Sequence, residues 1–152
     1  MPAEVERTQM ALWSMASAAL LFSNDLPRIP ERSRAILLNR EALRINQDPL
    51  GRMCFRFRVD TITGAQLWRK DLLGGDVAVA IVNMGDSPLA AGYAFAMIEV
   101  GFAPDTRVVA RDLYTGGPGG GRSVVGLFAT RAAIAVHDTL LLRLSFAPEL
   151  EL

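Results

Sequence analysis

The groups in this chain that could do chemistry are its carboxylates and its single histidine. Sixteen residues are Asp or Glu, and the one histidine, His137, is followed by Asp138. Two carboxylates held together can act as nucleophile and acid/base, and a histidine oriented by an acid can activate a Ser or Cys nucleophile. Asp25 ends the turn-favouring run Ser23-Asn24-Asp25 after a short apolar segment. That puts it at the carboxyl end of an expected strand, the end where barrel enzymes build their active sites. The competing reading is a turn or helix-cap carboxylate that accepts backbone N–H groups of the next segment, and the cap is the expectation. Asp48 precedes Pro49 and is expected to close a turn, with Asn46 and Gln47 satisfying backbone groups beside it. No motif sets a Ser or Cys nucleophile beside His137, which reads as a loop histidine.

Other residue types lead to the same conclusion. Trp13 and Trp68 could stack on a sugar ring, but the apolar neighbours of Trp13 favour a core position for it, and Trp68 stays open. The run Gly116-Gly117-Pro118-Gly119-Gly120-Gly121 lacks the Gly-Lys-Ser/Thr of a phosphate cradle and precedes a strand, so a hairpin loop is expected. Cys54 is the only cysteine and has no Cys or His at metal-ligand spacing, so a small apolar role is expected. Arg56 and Arg58 alternate with Phe55 and Phe57, the pattern of a solvated strand face. No residue is assigned to catalysis, to a cofactor or to a metal.

The elements that must position these residues come from hydrophobic period. Of 152 residues, 51% are hydrophobic, enough to bury a core. Basic and acidic residues balance at 16 each, so no field gathers nucleic acid or an anionic membrane. The longest apolar-rich stretch, residues 16–22, is far short of the roughly 20 residues that cross a bilayer. The acidic opening Met1-Pro2-Ala3-Glu4-Val5-Glu6 is unlike a signal peptide.

Val5, Leu12, Met15 and Ala16 predict a helix over 4–17, and residues 19–22 predict a buried parallel strand. Ile36, Leu37, Leu43 and Ile45 predict two short helices broken near Asn39. Helix, buried strand, helix is a unit of an α/β barrel or a doubly wound sheet, and one unit closes neither. After Asp48-Pro49-Leu50-Gly51 the period becomes two. Half-buried strands are expected at 55–59, 65–70, 77–81, 93–97, 107–113, 132–136 and 140–144, with turns at 74–76 and 84–88. Many short strands with such turns predict a sandwich or barrel.

Three segments carry a family resemblance: Gln9-Met10-Ala11-Leu12-Trp13, Ser23-Asn24-Asp25-Leu26 and Ile45-Asn46-Gln47-Asp48-Pro49-Leu50-Gly51. They resemble the closing section of the barrel in glycoside hydrolase family 27, the α-galactosidases and α-N-acetylgalactosaminidases. Further on, Leu67-Trp68-Arg69-Lys70, Gly75-Asp76-Val77-Ala78-Val79-Ala80, Arg111-Asp112-Leu113-Tyr114-Thr115 and His137 with Leu140-Leu141-Leu142-Arg143-Leu144 look like that family's C-terminal sandwich.

The resemblance implies a mainly β chain. Residues 1–51 would be the last helix-strand-helix unit of an incomplete (β/α)8 barrel, and residues 52–152 an antiparallel β-sandwich. It also implies a parent that hydrolyses terminal α-galactosides with retention, through two aspartates about 5–5.5 Å apart on earlier barrel strands. Those aspartates are expected outside this chain, which alone is expected to be inactive. The partners implied are the missing barrel portion and, for the full-length parent only, the α-galactoside; nucleic acid and membrane are not expected, and a homo-oligomer is open. No cofactor is implied. The family is often secreted or lysosomal. The alternative reading is a stand-alone carbohydrate-binding or protein-interaction sandwich. Residues 1–51 are expected to be loosely held, with an apolar patch at Leu20, Leu21 and Phe22 prone to associate.

Overall fold

The computed structural model describes residues 1–21, 23, 25–115 and 120–147. Eight strands follow three helices. The helices are α1 (Ala3–Met15), α2 (Glu31–Leu37) and α3 (Arg40–Asn46). The strands are β1 (Phe55–Val59), β2 (Ala65–Asp71), β3 (Val77–Asn83), β4 (Ala94–Ala96), β5 (Arg107–Asp112), β6 (Gly121–Val125), β7 (Leu127–Ala129) and β8 (Thr139–Phe146). Six of them form one antiparallel sheet in the order β1-β2-β3-β8-β5-β6, and β4 pairs with β7 in a second.

The two sheets close on an apolar core. Leu67, Val79, Ile81, Leu142 and Leu144 of the large sheet meet Phe95, Met97 and Phe128 from the other side. Phe95 stacks on Phe128 with ring centroids 5.1 Å apart. Burying each such side chain contributes about 1.5–3 kcal/mol relative to exposing it.

The opposite face of the large sheet is covered too. Ala78, Ala80 and Val82, alternate residues of β3, pack with Met10, Ala11 and Met15 of α1 and Ala42 and Ile45 of α3. Small side chains at 78 and 80 let a helix approach the sheet closely. Every residue of β3 is therefore buried, where alternation predicts a strand with one solvated face. The helices are likewise docked on the sheet, whereas loose attachment of residues 1–51 is expected from a helix-strand-helix unit without neighbours. Their apolar faces found the sandwich itself.

Four further expectations change. Residues 19–21 carry no strand, because among the described residues no neighbouring strand offers them a hydrogen-bonding edge; Phe22 lies outside the described residues. Of the expected strand 132–136, only Ile134 pairs, in a single bridge to Leu89. β6 and β7 form where no strand is predicted, since glycine and serine dilute the pattern of β6, and β7 is only three residues long. In β1 the register slips between Arg56 and Arg58, a bulge that breaks the strict alternation. Phe57 turns to the core, edge-on to Phe95, and Arg58 is drawn inward to donate to the Ala94 carbonyl at 2.6 Å and pair with Glu99. Arg58 is thus not on a solvated face. The expected hairpin loop at 116–121 falls mostly outside the described residues.

Candidate functional site

The most highly built polar arrangement lies where α1 and α3 end over β2. Lys70 is 0% exposed. Its ammonium donates to the Ser14 carbonyl at 3.1 Å, to Ser17 Oγ at 2.7 Å and to the Ile45 carbonyl. These acceptors stand at the carboxyl ends of two helices, where carbonyls lack intrahelical donors and the helix dipole favours a cation. Ile45 has a particular need: the residue four positions on is Pro49, which has no N–H to give. Lys70 supplies that donor. Burial lowers its ammonium from the ordinary 10.5, opposed by the attraction of Asp48.

Neighbouring residues extend the clamp. The Asn46 side-chain amide donates to the carbonyls of Trp13 at 3.1 Å and Ala18 at 2.9 Å, closing the turn after α1. Ser17 takes a left-handed conformation there, with φ 52°. Asp48 accepts from Leu50 N–H at 3.1 Å and from Leu73 N–H at 3.0 Å, tying the end of α3 to the β2–β3 turn. Asn46 and Asp48 thus do the structural work expected of them. Asn39 caps α3 by accepting from Glu41 and Ala42 N–H, both at 3.0 Å, and donates to the Leu113 carbonyl.

Asp25 does not cap. Its backbone carbonyl accepts from Arg28 N–H at 3.0 Å, while its carboxylate, 58% exposed, only pairs with Arg28 at 3.7 Å. The short 3₁₀ turn Leu26–Arg28 carries Pro27 at its start, so one donor that a cap could use is missing. Asp25 lies at a cleft of 510 Å³ with Glu6, Trp13, Ser23 and Arg32. Glu6 Oε2 is buried there without a hydrogen-bond partner among the described residues. Sequence reasoning passes over Glu6 because its place in the first turn of α1 reads as a solvated helix face.

His137 is an exposed loop residue with φ 63°, held by its backbone N–H on the Asn83 carbonyl at 3.1 Å. Asp138 is fully engaged: both its oxygens accept from Arg7, at 2.9 and 2.7 Å. That bidentate contact raises the guanidinium above its ordinary value. The adjacent pair 137–138 is therefore a helix anchor, with its acid spent on Arg7. Trp13 and Trp68 do not share a platform. Trp13 lines the cleft, whereas Trp68 packs on the helix side of the sheet under Arg56, 5.6 Å from its ring. Cys54, half-buried beside the helices, has its thiol pushed up by burial. Among the described residues no three His, Cys, Asp or Glu side chains gather as metal ligands, and no helix is long and apolar enough to cross a membrane.

Lys70 is the residue that sequence reasoning misses. One signal was available: it shares a face of β2 with Trp68, and that face meets the alanines of β3, a pattern that fits a covered sheet better than a solvated one.

Comparison with known proteins agrees with this geometry. Residues 1–48 match the family described as alpha galactosidase A, and residues 63–144 match the alpha galactosidase C-terminal beta sandwich domain. An alpha-galactosidase from Coffea arabica is 34% identical over 134 residues, covering 88% of this chain and 33% of that protein. Alpha-galactosidase A of Homo sapiens is 35% identical over 94 residues, 62% of this chain and 21% of that protein. The chain thus spans a third or less of the length of these curated relatives. In fold, alpha-galactosidase I from Mortierella vinacea superposes with a TM-score of 0.85 at 21% identity, over 97% of this chain and 36% of that one. With a family match across more than half of its length, and helices and sandwich both accounted for, the chain belongs to the α-galactosidase family of glycoside hydrolases, as its C-terminal part.

Proposed function

We propose that this chain is the non-catalytic, supporting part of a retaining α-galactosidase, whose sandwich holds the helices at the end of the barrel in place. Residues 1–51 act as barrel and residues 52–152 as buttress; the parent hydrolyses terminal α-galactosides, and its two catalytic carboxylates are not among the residues of this chain. The remaining barrel is the principal partner, and the sandwich also offers surface for a homo-oligomer. The observation that carries the reading is the Lys70 clamp. A fully buried ammonium shared by the ends of α1 and α3 fixes the barrel-like helices to a strand of the sandwich. Asp25 lies at a cleft but is exposed and paired only with Arg28, without the hydrogen-bonded setting that tunes a catalytic acid.

Turnover of an aryl α-galactoside by the purified chain, with Asp25→Asn as control, tests this. No turnover above background in either protein is expected. Turnover lost in the variant would give Asp25 a catalytic role and overturn the reading.

A further inference from the structure

We propose that the cleft where the two sheets splay apart, rimmed by Arg122 and Arg131, binds a small monocarboxylate with an apolar body. The cleft measures 620 Å³, within the range of about 300–1,000 Å³ usual for small-molecule sites. Its walls are apolar: Ala110 and Leu142 from the large sheet, Phe128 and Ile134 from the opposite side.

The polar groups with capacity to spare are two guanidinium groups and a hydroxyl. Arg122 is fixed in place, donating to the Ala129 carbonyl and lying 4.5 Å over the Phe128 ring, which leaves further N–H groups unengaged. Arg131 is exposed and makes no ion pair among the described residues. Thr130, which lines the same cleft and is only 5% exposed, has a buried hydroxyl with no partner among the described residues. An unpartnered buried hydroxyl is costly, and a ligand oxygen would satisfy it.

The carboxylates at this cleft already have hydrogen-bond partners. Asp138 is taken by Arg7, and Asp112 accepts from Tyr114 N–H, Thr115 N–H and the Thr115 hydroxyl. Arg7, Arg122 and Arg131 against Asp112 and Asp138 leave the lining with one more positive than negative side chain. Burial, and after it the charge of Arg131, hold the Arg122 guanidinium below its ordinary value. An anion lying between the two guanidinium groups relieves that repulsion. A neutral sugar would bring no charge to set against the excess of guanidinium groups, which a carboxylate does.

The test is a calorimetric titration of the full chain with hexanoate, alongside hexanamide, which keeps the apolar body without the charge, and inorganic phosphate, which keeps charge without the body. Saturable hexanoate binding is expected, weakened at least tenfold in Arg131→Gln and measurably in Thr130→Val, with hexanamide and phosphate much weaker. Arg131 is exposed, so Arg131→Gln should melt with the wild type, and Thr130→Val, which removes a costly unpartnered hydroxyl, should melt at the same temperature or higher. Absence of saturation by hexanoate, or equal binding in Arg131→Gln, would overturn the site. Hexanamide binding as tightly would overturn the role of charge, and phosphate binding as tightly would overturn the apolar half of the assignment.

Discussion

Replacing Lys70 with methionine sets two large effects against each other. The variant keeps the length and apolar stem of the side chain and removes only the ammonium. Removing a buried cation relieves its desolvation, which in real proteins amounts to several kcal/mol, and buried ions are often replaced by apolar residues without loss. Against that stand three hydrogen bonds from a charged donor, each worth about 1.5–3 kcal/mol. Two of the acceptors can fall back on others. The Ser14 carbonyl still accepts from Ser17 N–H at 3.3 Å, and Ser17 Oγ can still donate to the Arg52 carbonyl at 3.2 Å. The Ile45 carbonyl cannot, because Pro49 has no N–H, so it is left buried and unsatisfied at a cost of about 1–3 kcal/mol. The three bonds roughly offset the desolvation, and the orphaned carbonyl decides the sign. A net loss of about 2 kcal/mol is expected, which for a chain of this size lowers Tm by roughly 4–8 °C. The alkaline limb adds a check. Burial lowers the Lys70 ammonium below 10.5, so between its folded value and 10.5 the unfolded chain binds more protons and wild-type stability rises with pH. The variant lacks that rise. Thermal unfolding followed by circular dichroism across this range measures both. A variant as stable as the wild type, or more so, would refute the claim that the ammonium is needed to complete the helix ends.

Acid behaviour should depend on Asp71, whose carboxyl is held below 3.8 first by its hydrogen bond to Arg69. Its contribution is fully present above that unfolded value and lost as pH falls through the lower folded one, so Asp71→Asn should flatten stability against pH below about 4 in urea titrations. Gly85→Ala should destabilise by about 1–3 kcal/mol in urea unfolding, since a Cβ there would lie 2.2 Å from the Thr63 carbonyl oxygen, which is backbone and cannot yield easily. Asp138→Asn should cost about 1–2 kcal/mol, because the Arg7 pair is half-buried and bidentate, between the surface and buried cases; chemical denaturation reads it, and an unchanged midpoint would show that the anchor of α1 lies elsewhere.

The strands that sequence reveals are those with strong β-branched or aromatic alternation and clear turn residues at their ends. β1, β3 and β4 are of this kind, and the apolar runs of β2, β5 and β8 are legible as well. What period alone does not reveal is which face is covered. The alternation of Val77, Val79 and Ile81 with Ala78 and Ala80 fits a half-buried strand and a strand under a close-packed helix equally well. Tertiary packing decided, and it made Lys70 a core residue. The bulge at Arg56–Arg58 cannot be read from alternation, because it is the place where alternation stops. Residues 19–21 show the opposite error, a local apolar pattern that specifies a strand only if neighbours exist to pair with it. At the polar junction, the turn chemistry of Asn46 and Asp48 was legible because their side chains act locally. The capping reading of Asp25 failed because the carbonyl rather than the carboxylate meets the turn.

Native-state hydrogen exchange on the full chain tests most directly whether the sandwich holds the helices. If the Lys70 clamp and the apolar contacts of α1 and α3 bind them to the sheet as one cooperative unit, amides of residues 10–15 and 43–47 should exchange with opening free energies close to those of β3. Protection of β3 with near-unprotected amides in both helices would contradict the account, since it would mean that the sandwich folds without holding them.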